Sequence, residues 1–103
     1  MIFLNVEEDL TWKKEWQVLY FNATWMPLNK KNLFMLEKLA KKYPNIQSFV
    51  IDTDCFKGLC RRFDIVKIPS FIITRNGKVV SRIEESLRTK KFMAFFDDIY
   101  DRE

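Results

Sequence analysis

The run Val18-Leu19-Tyr20-Phe21 constrains this chain more than any other stretch. Four consecutive apolar residues without period-2 alternation call for a strand buried on both faces, as in a parallel sheet. The run ends at Asn22-Ala23-Thr24. Pro27 then stands where a first helical residue would, its missing N–H costing nothing there. Leu33, Leu36, Ala40 and Tyr43 follow at helical spacing, with lysines and Glu37 between them. The stretch therefore reads strand, tight turn, helix, with Trp25 and Met26 at the turn. Turns at the carboxyl ends of parallel strands are where open α/β sheets usually place function.

The remaining elements fall around this unit. Ile2 to Val6 reads as a first strand. Glu7, Glu8 and Asp9 suit the positive end of a helix dipole, so a helix is expected there, with Trp12 and Trp16 four apart and covering one face of the sheet. Pro44-Asn45 stops the long helix. Ile46 to Asp52 is the next strand, and Thr53 or Asp54 caps a short helix through Phe56, Leu59, Cys60 and Phe63. Phe71 to Thr74 and Lys78 to Ile83 pair as a hairpin across Asn76-Gly77. Ser86 or Thr89 caps a last helix whose buried stripe is Phe92, Phe95, Phe96 and Ile99. Crossover helices make the first three strands parallel, and the hairpin adds two antiparallel strands. The expectation is an α/β fold: a mixed five-stranded sheet flanked by four helices.

Length and composition set outer bounds. The 103 residues suit one domain, 1–103, with one core. Ten Phe, three Trp and three Tyr supply a packed interior and argue against disorder. A net charge of +4 on a mixed-charge surface is read as solubility, so no nucleic-acid partner is expected. No apolar run approaches a membrane span, and no membrane partner is expected. The amino terminus turns acidic at once, unlike a signal peptide. Two cysteines without a targeting segment suggest a cytoplasmic, reducing setting. A monomer is favoured.

Three segments carry a resemblance. "FNATWMPLNK" resembles the active-site segment of thioredoxins, where an Ala-x-Trp leads into Cys-Gly-Pro-Cys-Lys. "FVIDTDC" is similar to that family's third-strand motif, and "FDIVKIPSFIITRNGKVV" to its cis-proline and hairpin segment. The resemblance extends over nearly the whole chain and implies the thioredoxin fold, with Ile68-Pro69 at the family's cis peptide. Ala23, Trp25 and Lys30 match, but the four redox positions read Met26-Pro27-Leu28-Asn29. The chain is thus identified as a divergent member without Cys-x-x-Cys. A disulfide reductase attacks with a thiolate, and a second thiol resolves the mixed disulfide. A thioether at Met26 and an amide at Asn29 do neither. The family's buried carboxylate falls on Tyr20, which reads as a core ring whose hydroxyl finds a partner at the edge. From these positions the chain is expected to be redox-inactive, not an enzyme, with no catalytic residue and no cofactor.

Cys55 and Cys60 are five apart, beyond disulfide reach in a regular helix. Cys60 reads as a small buried hydrophobe. Cys55 lies near a helix start, where the dipole lowers a thiol pKa. Some animal thioredoxins carry a cysteine at the corresponding place, so Cys55 is the candidate reactive thiol. Two cysteines and no histidine do not complete a zinc site, and no metal is expected.

The resemblance also implies a shallow groove at Trp25, Met26, Pro27, Ile68, Pro69 and Glu84. In the family, the residue before the proline pairs its backbone with an extended segment of a partner protein, a mode that needs no thiol. Trp25 either anchors such a partner or shields the helix start; Met26 either joins it or fills the space of a cysteine. Glu84-Glu85 replace a customary glycine, biasing the groove towards basic partners or partly closing it. Two functions stay open: a redox-inactive protein-binding module or adaptor, and a thiol-dependent redox protein acting through Cys55 or an atypical site.

Overall fold

A computed structural model describes residues 1–102; Glu103, the last residue of the expected domain, lies outside them. The elements are β1 (Ile2–Phe3), β2 (Trp16–Asn22), α1 (Asn29–Lys42), β3 (Gln47–Asp52), α2 (Lys57–Arg62), β4 (Ser70–Arg75), β5 (Lys78–Ile83) and α3 (Thr89–Arg102). The sheet order is β1-β3-β2-β4-β5. β1, β3 and β2 run parallel, while β4 runs antiparallel to β2, and β5 to β4. This is the mixed five-stranded sheet expected from the crossover and hairpin signals.

The missing alternation in β2 has a direct cause. Val18 and Tyr20 face a cluster made with Met35, Leu36 and Leu39 of α1 and Phe92 and Phe96 of α3. Leu19 and Phe21 face the opposite cluster, with Leu59 of α2 and Phe63 just beyond it. All seven residues of β2 are buried. The run Val18–Phe21 is apolar without alternation because both faces of the strand are interior.

Three α-helices are present among the described residues, not four. The expected first helix is a single 3-10 turn, Glu7–Asp9. The Asp9 carboxylate accepts the N–H groups of Asn5 at 2.9 Å and Val6 at 3.1 Å, closing the turn on itself. Beyond it, the Gln17 side chain holds the connection, donating to the Thr11 carbonyl at 2.8 Å and accepting from the Lys14 N–H. Trp16 opens β2 and meets Phe96 and Tyr100, whereas Trp12 meets Phe63 on the other side of the sheet. The two tryptophans do not share a face, because the three residues between them, Lys13 to Glu15, bend the chain instead of forming a helical turn.

Other boundaries shift for local reasons. Pro27 is not in α1: Leu28 follows it in the left-handed region, at φ 69°, and the helix starts at Asn29. α2 has no side-chain cap, and the residue before it is Phe56 rather than Thr53 or Asp54. Phe95 lies exposed on α3, outside the stripe of Phe92 and Phe96. At the hairpin, Asn76 and Gly77 both take positive φ, 50° and 80°, as a two-residue turn of this hand requires.

Candidate functional site

Strand register brings the expected site residues to one edge of the sheet. β2 and β3 end together, with Asn22 opposite Asp52. β4 begins beside the end of β2, with Ser70 opposite Phe21. The turns after β2 and β3 and the residues leading into β4 therefore converge. The indole N–H of Trp25 donates to Asp54 Oδ2 at 2.9 Å, tying two of these turns together. That bond fixes the ring while leaving Trp25 68% exposed. Met26 is half-buried and Pro27 exposed. The Ile68-Pro69 bond is cis, and no hydrogen bond of the Ile68 main chain is found among the described residues. Ile83 pairs with Phe71, so Glu84 reaches the same edge. Its carboxylate lies 3.9 Å from the Arg82 guanidinium, which also donates to the Asp64 carbonyl.

Two exposed apolar side chains at this edge escaped the sequence reading. Leu28 is 55% exposed and Val66 81% exposed. Leu28 left a signal, since it falls outside the helical stripe begun at Leu33. Val66 left none, because its neighbours Ile65 and Ile68 are apolar too.

Behind the edge lies a buried polar cluster. The Tyr20 hydroxyl donates to Asn29 Oδ1 at 2.7 Å and accepts from Asn22 Nδ2 at 2.7 Å and Asn32 Nδ2 at 3.3 Å. Asn22 Nδ2 also reaches Asn29 Oδ1 at 3.2 Å, and the Ser86 hydroxyl donates to Asn32 Oδ1 at 2.8 Å. The Tyr20 ring stacks on Phe71 with centroids 4.9 Å apart. Tyr20 is thus a core ring with a satisfied hydroxyl, and Asn29 supplies the partner. Burial pushes its pKa above the ordinary value, against the opposing effect of the Asn32 and Asn22 amides. Asn22 Oδ1 has no hydrogen-bond partner among the described residues. A cavity of about 190 Å³ lies beside this cluster, between Phe3, Asn22, Asn29 and Asp52. Sequence reasoning named Asn29 only for the thiol it lacks, and missed Asn22, Asn32 and Ser86. Three asparagines near one strand end were the available signal.

Both cysteines are free, Cys55 exposed and Cys60 half-buried. The expected dipole effect on Cys55 does not prevail. The charge of nearby Asp52 pushes the Cys55 pKa up, and its thiol donates to Asp52 Oδ2 at 3.6 Å. α2 is too short and begins too late, at Lys57, to outweigh a carboxylate in contact. Burial likewise raises the Cys60 thiol.

Comparison with known proteins bears on this geometry. The Thioredoxin family model matches residues 4–98. Thioredoxin-1 of Caenorhabditis elegans is 31% identical over 77 residues, 71% of this chain and 67% of that protein. Thioredoxin H5 of Arabidopsis thaliana is 26% identical over 76 residues, 74% of this chain but 64% of its own length. The match thus spans a little less than two thirds of that relative. The solution structure of oxidised thioredoxin from Plasmodium falciparum superposes with a TM-score of 0.85 at 16% identity, covering 95% of this chain and 96% of that one. These findings overturn the expectation that the chain is not an enzyme. Its relatives are named thioredoxins, which are thiol redox proteins, and they match over 64–74% of this chain. The expectation rests on Met26, Asn29 and Tyr20 at the family's redox and proton-carrier positions.

Proposed function

The chain belongs to the thioredoxin family, and from that premise we propose that it recognises an extended segment of a partner protein along the edge formed by Trp25, Met26, Pro27, Ile68, Pro69 and Glu84. One observation carries the reading. Trp25 is held by Asp54 with its ring mostly in solvent, at the same sheet edge as a pre-proline residue whose main chain makes no hydrogen bond among the described residues. A fixed aromatic face next to free backbone groups is what strand addition uses: the main chain supplies affinity and the neighbouring side chains supply selectivity. Leu28 and Val66 extend the apolar surface. Strand addition of this kind needs no thiol at positions 26 and 29.

The test is selection of extended peptides from a displayed random library, followed by amide chemical-shift mapping. Selected peptides should perturb Trp25 and Ile68. Trp25→Ala should weaken binding by about 2 kcal/mol or more, roughly thirtyfold. Selected peptides that bind Trp25→Ala as well as the parent overturn the reading.

A second reading, thiol redox chemistry through Cys55, is favoured by the free, exposed thiol at the same edge. Insulin-disulfide reduction by the parent and by Cys55→Ser, with dithiothreitol supplying the electrons and resolving the Cys55–insulin mixed disulfide, tests it. Turnover that is lost in the variant supports it, and equal rates exclude it.

A further inference from the structure

A second surface, away from the cis-proline edge and independent of the reading above, lies between α1 and α3. Along α1, five lysines stand against the single carboxylate of Glu37. The excess of four equals the net charge of the whole chain. α3 is balanced, with Lys90, Lys91 and Arg102 against Asp97, Asp98 and Asp101. α1 is thus strongly basic, as is the short α2 with Lys57, Arg61 and Arg62, and of the helices flanking the groove α1 carries the excess. α1 also has no acidic residue in its first turn, where Lys30 and Lys31 sit against the direction the helix dipole favours.

Between the two helices runs an open groove of about 640 Å³ whose walls include Lys38, Lys42 and Lys90 and whose floor is Met93 and Ala94. One carboxylate, Asp97, also lines it. That carboxylate is already engaged: Lys42 Nζ lies 2.7 Å from Asp97 Oδ2, and the Tyr43 hydroxyl donates to Oδ1. Lys42 and Tyr43 together hold the Asp97 carboxyl below its usual range. Lys38 has no carboxylate partner among the described residues; its ammonium lies over the ring of Phe34, 5.1 Å from the centroid. Lys90 likewise makes no ion pair among the described residues. Two unpaired ammonium groups thus flank an apolar floor, with the exposed ring of Phe34 beside them.

We propose that this groove docks an acidic segment of a partner protein, its carboxylates on Lys38 and Lys90 and its small apolar side chains on Met93 and Ala94. Charge complementarity and the apolar floor select this occupant. A nucleic acid would be served by arginine forks on phosphate, and no arginine lines the groove. A flat anionic membrane surface does not fill a groove.

The experiment titrates the intact chain with a short synthetic peptide repeating Glu-Leu-Glu-Ala, read by amide chemical shifts. The expected result is saturable shifts confined to Phe34, Lys38, Lys90, Met93 and their neighbours. Affinity should fall about tenfold on going from low to high salt, as for a contact steered by exposed charge. Lys38→Glu with Lys90→Glu should abolish the shifts, and the Gln pair should give an intermediate loss. All four substitutions sit on exposed positions, and circular dichroism checks the fold. Trp25→Ala should leave this titration unchanged, which separates its failure from that of the cis-proline edge. Four outcomes overturn the proposal: no saturable shift, shifts elsewhere, equal binding of the Gln-Leu-Gln-Ala peptide, or tighter binding to phosphatidylserine vesicles or a duplex oligonucleotide.

Discussion

Removing one oxygen atom, by Tyr20→Phe, tests the account of the buried polar cluster. The ring is fully buried and stacked on Phe71, and phenylalanine keeps that packing. Only the hydroxyl and its three hydrogen bonds are lost. At about 1 kcal/mol net per bond, the upper figure is about 3 kcal/mol. Asn22 and Asn29 recover part of this, because they already share a 3.2 Å bond. Asn32 recovers nothing at Nδ2, whose one partner was the hydroxyl, and its side chain has no access to solvent. An orphaned buried donor costs about 1–3 kcal/mol by itself. The expected loss is therefore about 2–3 kcal/mol, a fall in melting temperature of roughly 10–20 °C for a domain of this size. Urea denaturation gives the quantity directly, as a lower midpoint at unchanged slope. Adding Asn32→Leu with Ser86→Ala to Tyr20→Phe should return part of the loss, since together they remove the orphaned donor and the hydroxyl that Asn32 accepts from. A loss below about 0.5 kcal/mol would refute the reasoning, because it would mean that the hydroxyl is not the acceptor on which Asn32 depends.

Alkali gives a related expectation. Tyr20 and Tyr43 both ionise above the ordinary 10.0 in the folded chain, Tyr20 chiefly through burial and Tyr43 through burial and then the Asp97 carboxylate. In the unfolded chain they lose their protons first, so stability should decline as pH rises past about 10, and the decline should be shallower in Tyr20→Phe. For Cys55, alkylation by iodoacetamide near neutral pH should be slow, and Asp52→Asn should speed it by removing the charge that raises the thiol pKa; an unchanged rate would show that Asp52 is not the cause. Phe92→Ala should cost about 3–5 kcal/mol by urea denaturation, because this fully buried ring packs against Phe71 in the α1/α3 cluster.

The sheet was legible in the sequence because its signals are local. An unbroken apolar run, an Asn-Gly pair and the crossover rule suffice to place Val18–Phe21, Asn76-Gly77 and the three parallel strands. The first helix was not legible, because the acidic residues that favour a helix start also favour a closed turn. The Asp9 carboxylate closing on Asn5 and Val6, and Gln17 holding Thr11 and Lys14, decide between them. At the site, the turn residues Trp25 to Pro27 and Ile68-Pro69 were readable. The direction of the Cys55 shift was not: it depends on Asp52, three residues earlier in the chain, meeting the thiol in space. The roles of Asn22, Asn32 and Ser86 depend on where β2, α1 and the loop before α3 meet, which no local pattern encodes.

Leu28 leads to an evolutionary reading of the cis-proline edge. Its backbone stands in a region that costs an ordinary residue about 1–2 kcal/mol, and more than half of its side chain is in water. Glycine or asparagine would suit that backbone better. Folding alone therefore gives little reason for leucine to persist at this position. Among close descendants of this sequence, position 28 should drift to glycine or asparagine where the surface around Trp25 has lost its partner. If the proposed contact is used, position 28 should stay apolar and unbranched at Cβ, varying between leucine and methionine.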